Sequence, residues 1–165
     1  SYFMQHQIES MHLFVPNMYG PHDSTDPNKA HALSALISKF VKAQKSGSNS
    51  VEIWGSGIAI REWLYAEDFG KALLEILNDP LQKNISEPIN IAQSTGLSVA
   101  QLVKIISKKL DFNGSISWDK AKPDGAPKKI MDDHLFRKHF PDFTFTGFDQ
   151  GIENTVKYYQ ESYPY

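Results

Sequence analysis

Leu13-Phe14-Val15-Pro16-Asn17-Met18-Tyr19-Gly20-Pro21-His22-Asp23 is the stretch whose reading decides the fold. Met11 to Val15 form a short apolar run that predicts a buried strand. Pro16 removes a backbone donor, so sheet pairing is expected to stop there and the strand to run out into a loop. Beyond it Asn17, Tyr19, His22 and Asp23 crowd polar and aromatic groups around a tight turn at Gly20-Pro21. In an open α/β sheet ligands collect at such strand ends, because the strand holds the surrounding side chains rigid over a crevice. A capped turn with a satisfied asparagine accounts for the same residues, and on this segment alone both readings stand.

Composition narrows the classes outside that stretch. At 165 residues, 41% hydrophobic and 12% aromatic, the chain is one domain or part of one, with enough apolar surface for a real core. Its net charge of -2 and its scattered basic residues exclude nucleic acid as the main partner, which requires clustered positive charge. With no cysteine, disulfides, thiolate catalysis and a cysteine zinc site are excluded, and the cytoplasm is the expected compartment. No apolar run approaches the roughly 20 residues of a membrane span, so a soluble protein with no membrane partner is expected. Ser1 to Ser10 look like the last turns of a helix feeding the first strand, with no cap before them. The chain is therefore expected to be a cut piece of something longer.

Downstream, Asp26-Pro27-Asn28 is turn chemistry, and Leu33, Leu36, Ile37, Phe40 and Val41 recur at helical spacing between His31 and Lys45. The polar side of that helix carries Lys39, Lys42 and Lys45, either a solvated face or, for one of them, a phosphate contact. Val51 to Trp54 alternates as a strand ending at Gly55-Ser56-Gly57, and Ala59 to Tyr65 is expected to complete a hairpin-like pair with it. The third glycine of a dinucleotide fingerprint is missing and a strand follows, so the glycines are turn residues bringing Trp54 and Arg61 together. An indole beside a guanidinium is either structural stacking or a site for a flat, doubly charged ligand.

Glu67-Asp68 opens a helix through Asn78, which Asp79-Pro80 should end; Asp68 reads as a cap or ion-pair partner. Ile89 to Ile91 is a brief strand, and Ser98-x-x-Gln101 is a capping box for a helix from Val99 to Leu110. After a strand at Ile116 to Trp118 comes the loop Asp119 to Lys129, stiffened by Pro123 and Pro127. Pro123-Asp124-Gly125 is a plain turn, or a rigid presentation of the Asp124 carboxylate to ligand hydroxyls. A helical turn at Asp132 to His139, an extended piece at Phe143 to Phe145, a Thr146-capped final helix and a frayed Tyr163-Pro164-Tyr165 complete the reading.

No metal site is expected, since neither HExxH nor clustered ligands occur, and no Gly-x-Ser-x-Gly elbow supports an esterase. None of the seven tyrosines has a lysine four residues later.

Four pieces, in this order, carry a resemblance: Pro16-Asn17-Met18-Tyr19-Gly20-Pro21-His22-Asp23, Trp54-Gly55-Ser56-Gly57 with Arg61-Glu62-Trp63-Leu64, Glu67-Asp68, and Lys122-Pro123-Asp124-Gly125-Ala126-Pro127-Lys128-Lys129. The chain resembles the C-terminal half of an extended short-chain dehydrogenase/reductase of the NAD-dependent epimerase/dehydratase family. The Lys-Pro-Asp-Gly loop points to its GDP-L-fucose synthase branch. The resemblance implies an α/β fold, with strands 11–15 and 89–91 as edge strands of a Rossmann-type sheet and the rest as the small α/β substrate-binding lobe. It implies that Val15, Pro16, Asn17 and Met18 line the nicotinamide end of an NADP or NAD pocket with His31 nearby, and that Lys39, Trp54, Arg61 and Asp124 bind a GDP-sugar.

Two differences from the family pattern stand out. Val15-Pro16-Asn17 takes the place of Pro-Thr-Asn, and Ser38-Lys39 that of an arginine pair; lysine keeps the charge but loses the planar fork. The family's Gly-rich loop and Tyr-x-x-x-Lys pair are not in the 165 residues, so no catalytic residue is assigned and the chain alone is expected to be inactive. A complete enzyme would epimerise and reduce a 4-keto-6-deoxy GDP-hexose. A related 4,6-dehydratase or 4-epimerase, or a non-catalytic sugar-nucleotide-binding or assembly module, fits the same residues. Bare sheet edges predict a homo-oligomer or a swapped arrangement.

Overall fold

The computed structural model describes residues 2–8, 10–26, 29–78 and 87–165. In chain order its elements are α1 (Tyr2–His6), β1 (Leu13–Phe14), β2 (Asn17–Tyr19), α2 (Ala32–Ser46), β3 (Ser50–Trp54), β4 (Ile60–Arg61), β5 (Trp63–Tyr65) and α3 (Ala66–Asn78). They continue with β6 (Ile89–Asn90), β7 (Leu97–Ser98), α4 (Val99–Lys109), β8 (Ser115–Asp119), β9 (Lys128–Lys129), α5 (His134–His139) and α6 (Phe148–Ser162). The turn expected at Pro27-Asn28 and the helix stop at Asp79-Pro80 lie outside the described residues.

Pro16 does not end the sheet pairing; it switches it. β1 runs parallel to β6, with Leu13 opposite Ile89, and after Val15-Pro16 the chain pairs again as β2, parallel to β5 with Met18 opposite Leu64. A residue without an N–H fits the gap between two ladders better than the middle of either. The first strand is also less buried than expected, since Leu13 is half-buried and Phe14 is 54% exposed.

The predicted hairpin does not form. β3 pairs parallel with β8, Val51 opposite Ile116, while residues 60–65 divide at Glu62 between two sheets. β4 lies between β7 and β9, and β5 joins β2. Glu62 anchors the division. Its buried carboxylate accepts the backbone N–H groups of Gln93 and Met131, so one side chain ties three segments together.

The helices follow the apolar periodicity. α2 buries Leu33, Ile37, Phe40 and Val41, and Gly47 closes it in the left-handed region at φ 72°, donating to the Ala43 and Gln44 carbonyls. α4 carries the full capping box, in which Ser98 and Gln101 each bond the other's backbone. β5 alternates between two cores, as a period of two requires: Trp63 and Tyr65 face the cluster of α2, α4, α6 and β3, whereas Leu64 packs with Ile76, Ile89, Phe136 and Phe143.

Two further expectations, at Thr146 and at the C-terminus, are corrected. Thr146 does not cap α6; its N–H and hydroxyl both donate to the buried Asp68 carboxylate, and α6 starts after Gly147 with no side-chain cap. The piece from Phe143 to Phe145 pairs with no strand and forms part of an aromatic plug, the two rings 4.8 Å apart and both against Phe136. The C-terminal residues are not frayed: the Tyr165 ring lies 5.6 Å from that of Tyr159, with the Lys42 ammonium 4.9 Å from its centre. Two aromatic anchors outweigh the entropy of a short tail. Among the described residues no helix is long and apolar enough to cross a membrane.

Candidate functional site

Because β3 and β8 are parallel, their C-terminal ends lie side by side, with Trp54 opposite Asp119 and the Gly55 N–H donating to the Asp119 carbonyl at 2.9 Å. The turn after β3 and the long loop after β8 therefore leave the same end of the sheet. This register is the physical reason that residues far apart in sequence meet. Asp124 folds back onto the turn, its Oδ1 accepting the Ser56 N–H at 2.7 Å and its Oδ2 the Ser56 hydroxyl at 2.6 Å. These two bonds, the hydroxyl's first, with a smaller contribution from the Arg61 charge, hold its carboxyl below the usual range, so Asp124 is ionised at neutral pH.

Arg61 is fixed by two main-chain acceptors. Its Nη1 donates to its neighbour Ile60 at 2.8 Å and its Nη2 to the Asp124 carbonyl at 3.0 Å. A guanidinium has five N–H donors, so three remain for a ligand. Trp54, at the end of β3, stands 66% exposed, with Lys122 over its ring at 5.2 Å. Lys39 reaches from α2 to the Glu52 carbonyl on β3 at 2.6 Å, two residues before Trp54. Arg61 and Asp124 thus meet, Trp54 is tied to the same loop through Lys122 and through the turn that follows it, and Lys39 is anchored two residues along β3. Lys129, which the sequence reading left unassigned, lies in register with Arg61 and adds a second cation to that row. Its signal was hidden in the spacing, because only the pairing of β4 with β9 brings it beside Arg61.

The residues assigned to the nicotinamide end sit at the switch. Val15 and Pro16 fall between the two ladders, Asn17 and Met18 are in β2, and the Asn17 side-chain amide donates to the Glu62 carbonyl at 3.1 Å. His31 precedes α2 and pairs with Asp23, Nδ1 lying 3.2 Å from Oδ1. Burial works against the Asp23 charge. The His31 ring and the N–H groups of Ser24 and His31 outweigh it and hold that carboxyl low. An ionised Asp23 keeps the proton of a neutral His31 on Nδ1 and leaves Nε2 free as an acceptor. Among the described residues no group of three or more His, Asp or Glu side chains could hold a metal ion.

The family described as NAD dependent epimerase/dehydratase matches residues 1–92, more than half of the 165. This chain belongs to that family. A GDP-L-fucose synthase from Azorhizobium caulinodans is 35% identical to this chain over 149 residues, 89% of the chain and 46% of the relative. A probable GDP-L-fucose synthase from Oryza sativa subsp. japonica is 31% identical over 132 residues, covering 80% of the chain and 39% of the relative. The solved structure of a GDP-L-fucose synthetase from Naegleria fowleri bound to NADP superimposes with a TM-score of 0.84 at 30% identity, covering 93% of the chain and 47% of that structure. The chain spans less than half the length of these relatives. The α/β architecture with parallel edge strands is the Rossmann-type fold expected from the motifs.

Proposed function

We propose that this epimerase/dehydratase chain is the C-terminal, nucleotide-sugar-binding portion of an NADP- or NAD-dependent enzyme that epimerises and reduces a 4-keto-6-deoxy GDP-hexose. The observation that carries this reading is that Asp124, in the loop after β8, is bonded both to the turn that follows Trp54 and to Arg61 on β4. The GDP-L-fucose synthase relatives support the choice of sugar nucleotide. Trp54 offers a face to a ring, Arg61, Lys39 and Lys129 neutralise a diphosphate, and Asp124 accepts hydrogen bonds on its remaining lone pairs.

The residues at the switch suit a nicotinamide. Val15 and Pro16 lie outside both ladders, next to a β2 backbone that Asn17 fixes to Glu62, so this segment is a rigid wall rather than a mobile loop. A bound nicotinamide cofactor supplies hydride. The Asp23–His31 pair stands at the head of α2 as a group that takes and returns a proton through Nε2, its ring orientation set by the carboxylate. The Gly-rich loop and the Tyr-x-x-x-Lys pair belong in this reading to sequence outside the 165 residues, which alone give no turnover. The enzyme is assigned to the cytoplasm and to a homo-oligomer; exposed Phe3, Met4, Phe14 and Leu77 supply apolar contact surface.

Calorimetric titration of the full-length protein with GDP-mannose tests the site. Binding is expected, and Arg61→Ala should weaken it by about 1–3 kcal/mol, the cost of a lost charge-assisted contact. Equal affinity for the two proteins removes Arg61 from the site and the reading with it.

A further inference from the structure

Asp124 is assigned to the ligand, yet its carboxylate is already gripped from within the protein. Both oxygens are held by one residue, Ser56, through its N–H and its hydroxyl. The turn is shaped for that grip. Gly55 and Gly57 have φ of 85° and 80°, a Cβ on Gly55 would overlap Asp124 Oδ1, and one on Gly57 would stand 2.6 Å from the Trp118 ring. Only a turn without side chains at these two places admits the carboxylate and the indole so closely.

We propose that Ser56 is a positioning residue, a latch that holds the 119–127 loop against the β3 turn and so sets Arg61 and Lys122 for nucleotide binding without touching the nucleotide. The inference rests on the reading of this site as a nucleotide diphosphate site. Pro123 and Pro127 restrict the loop and the Ile60 N–H holds the Pro127 carbonyl at 2.9 Å, so the two-point attachment at Asp124 fixes the stretch between β8 and Pro127. Through the Asp124 carbonyl the same attachment orients the Arg61 guanidinium, and two residues upstream it places Lys122 over Trp54. Ser56 is half-buried beneath the loop, so its contribution passes through Asp124.

The latch is read in two ways on the full-length protein. Amide hydrogen exchange across residues 119–127, without nucleotide, is expected to speed up about tenfold in Ser56→Ala, the effect of losing one hydrogen bond to a charged group. Ser56→Thr, which keeps the hydroxyl, should restore slow exchange. Unchanged exchange in Ser56→Ala overturns the latch whatever happens to ligand binding. Calorimetry with GDP then tests the link to binding: Ser56→Ala is expected to weaken GDP about tenfold, but to change it less than twofold when Asp124→Ala is already present. Independent losses from the two substitutions overturn the claim that Ser56 acts through Asp124. A wild type with slow loop exchange that does not bind GDP refutes the nucleotide reading, and with it the binding role of Ser56, while leaving its grip on the loop in place.

Discussion

The side-chain amide of Asn17 donates to the main-chain carbonyl of Glu62 at 3.1 Å, across 45 positions of sequence. That bond joins the segment assigned to the nicotinamide with the residue next to Arg61, so the two halves of the proposed active site share one framework. Asn17→Ala is expected to lower stability by about 1 kcal/mol, as for a typical intramolecular hydrogen bond, and urea denaturation measures it. A variant as stable as the parent would mean that the bond is replaced by water at no cost.

Lys39 spends its ammonium on the Glu52 carbonyl, a neutral acceptor that a phosphate outcompetes. Lys39→Met should therefore weaken GDP by about 1.5 kcal/mol and leave guanosine unaffected. Calorimetry with both ligands separates the outcomes. An equal loss for guanosine would assign Lys39 to the shape of β3 instead of the diphosphate.

Gly57 combines a φ of 80° with a Trp118 ring where its Cβ would lie. Gly57→Ala is expected to destabilise the protein by about 1–3 kcal/mol, since the backbone is unfavourable for alanine and the indole must shift. Thermal melting detects this, and the emission of Trp118 should move with it.

Asp68 is wholly buried, accepts two bonds from Thr146 and lies 3.6 Å from the Lys71 ammonium. Asp68→Asn replaces one acceptor oxygen with a donor facing another donor, an expected loss of about 1–3 kcal/mol. If the variant melts with the parent, the segment before α6 is held by its phenylalanines alone.

Burial pushes the Tyr159 phenol from its ordinary value of 10.0 up to about 12. The raised value means that the unfolded chain ionises first, so stability is complete below pH 10 and falls as the pH rises through 12. Tyrosinate absorbance should develop in two stages, the later one together with unfolding measured by circular dichroism. A single titration in a chain still folded would contradict the burial.

The helices were legible because their apolar residues recur over three or four turns, and α2 begins and ends within one residue of the periodicity. Strand partners were not. With β1, β4, β6, β7 and β9 only two residues long, no local pattern distinguishes the β3·β8 pairing from a hairpin with residues 59–65. Thr146 looked like a cap because Asp149 follows three residues later, and only the fold reveals a buried Asp68 that needs both its donors. The turn glycines suggested Trp54 near Arg61 and the resemblance added Asp124; the parallel β3·β8 register that brings the Asp124 loop to that turn leaves no trace at those three positions.

In β5 consecutive side chains serve different interiors: Trp63 packs on one side, Leu64 on the other, Tyr65 on the first again. Neither interior has a wall of its own at that point, so loosening one strips cover from its neighbour. The described residues consequently have no weak seam between their two oily centres, and heat should dismantle both in a single step.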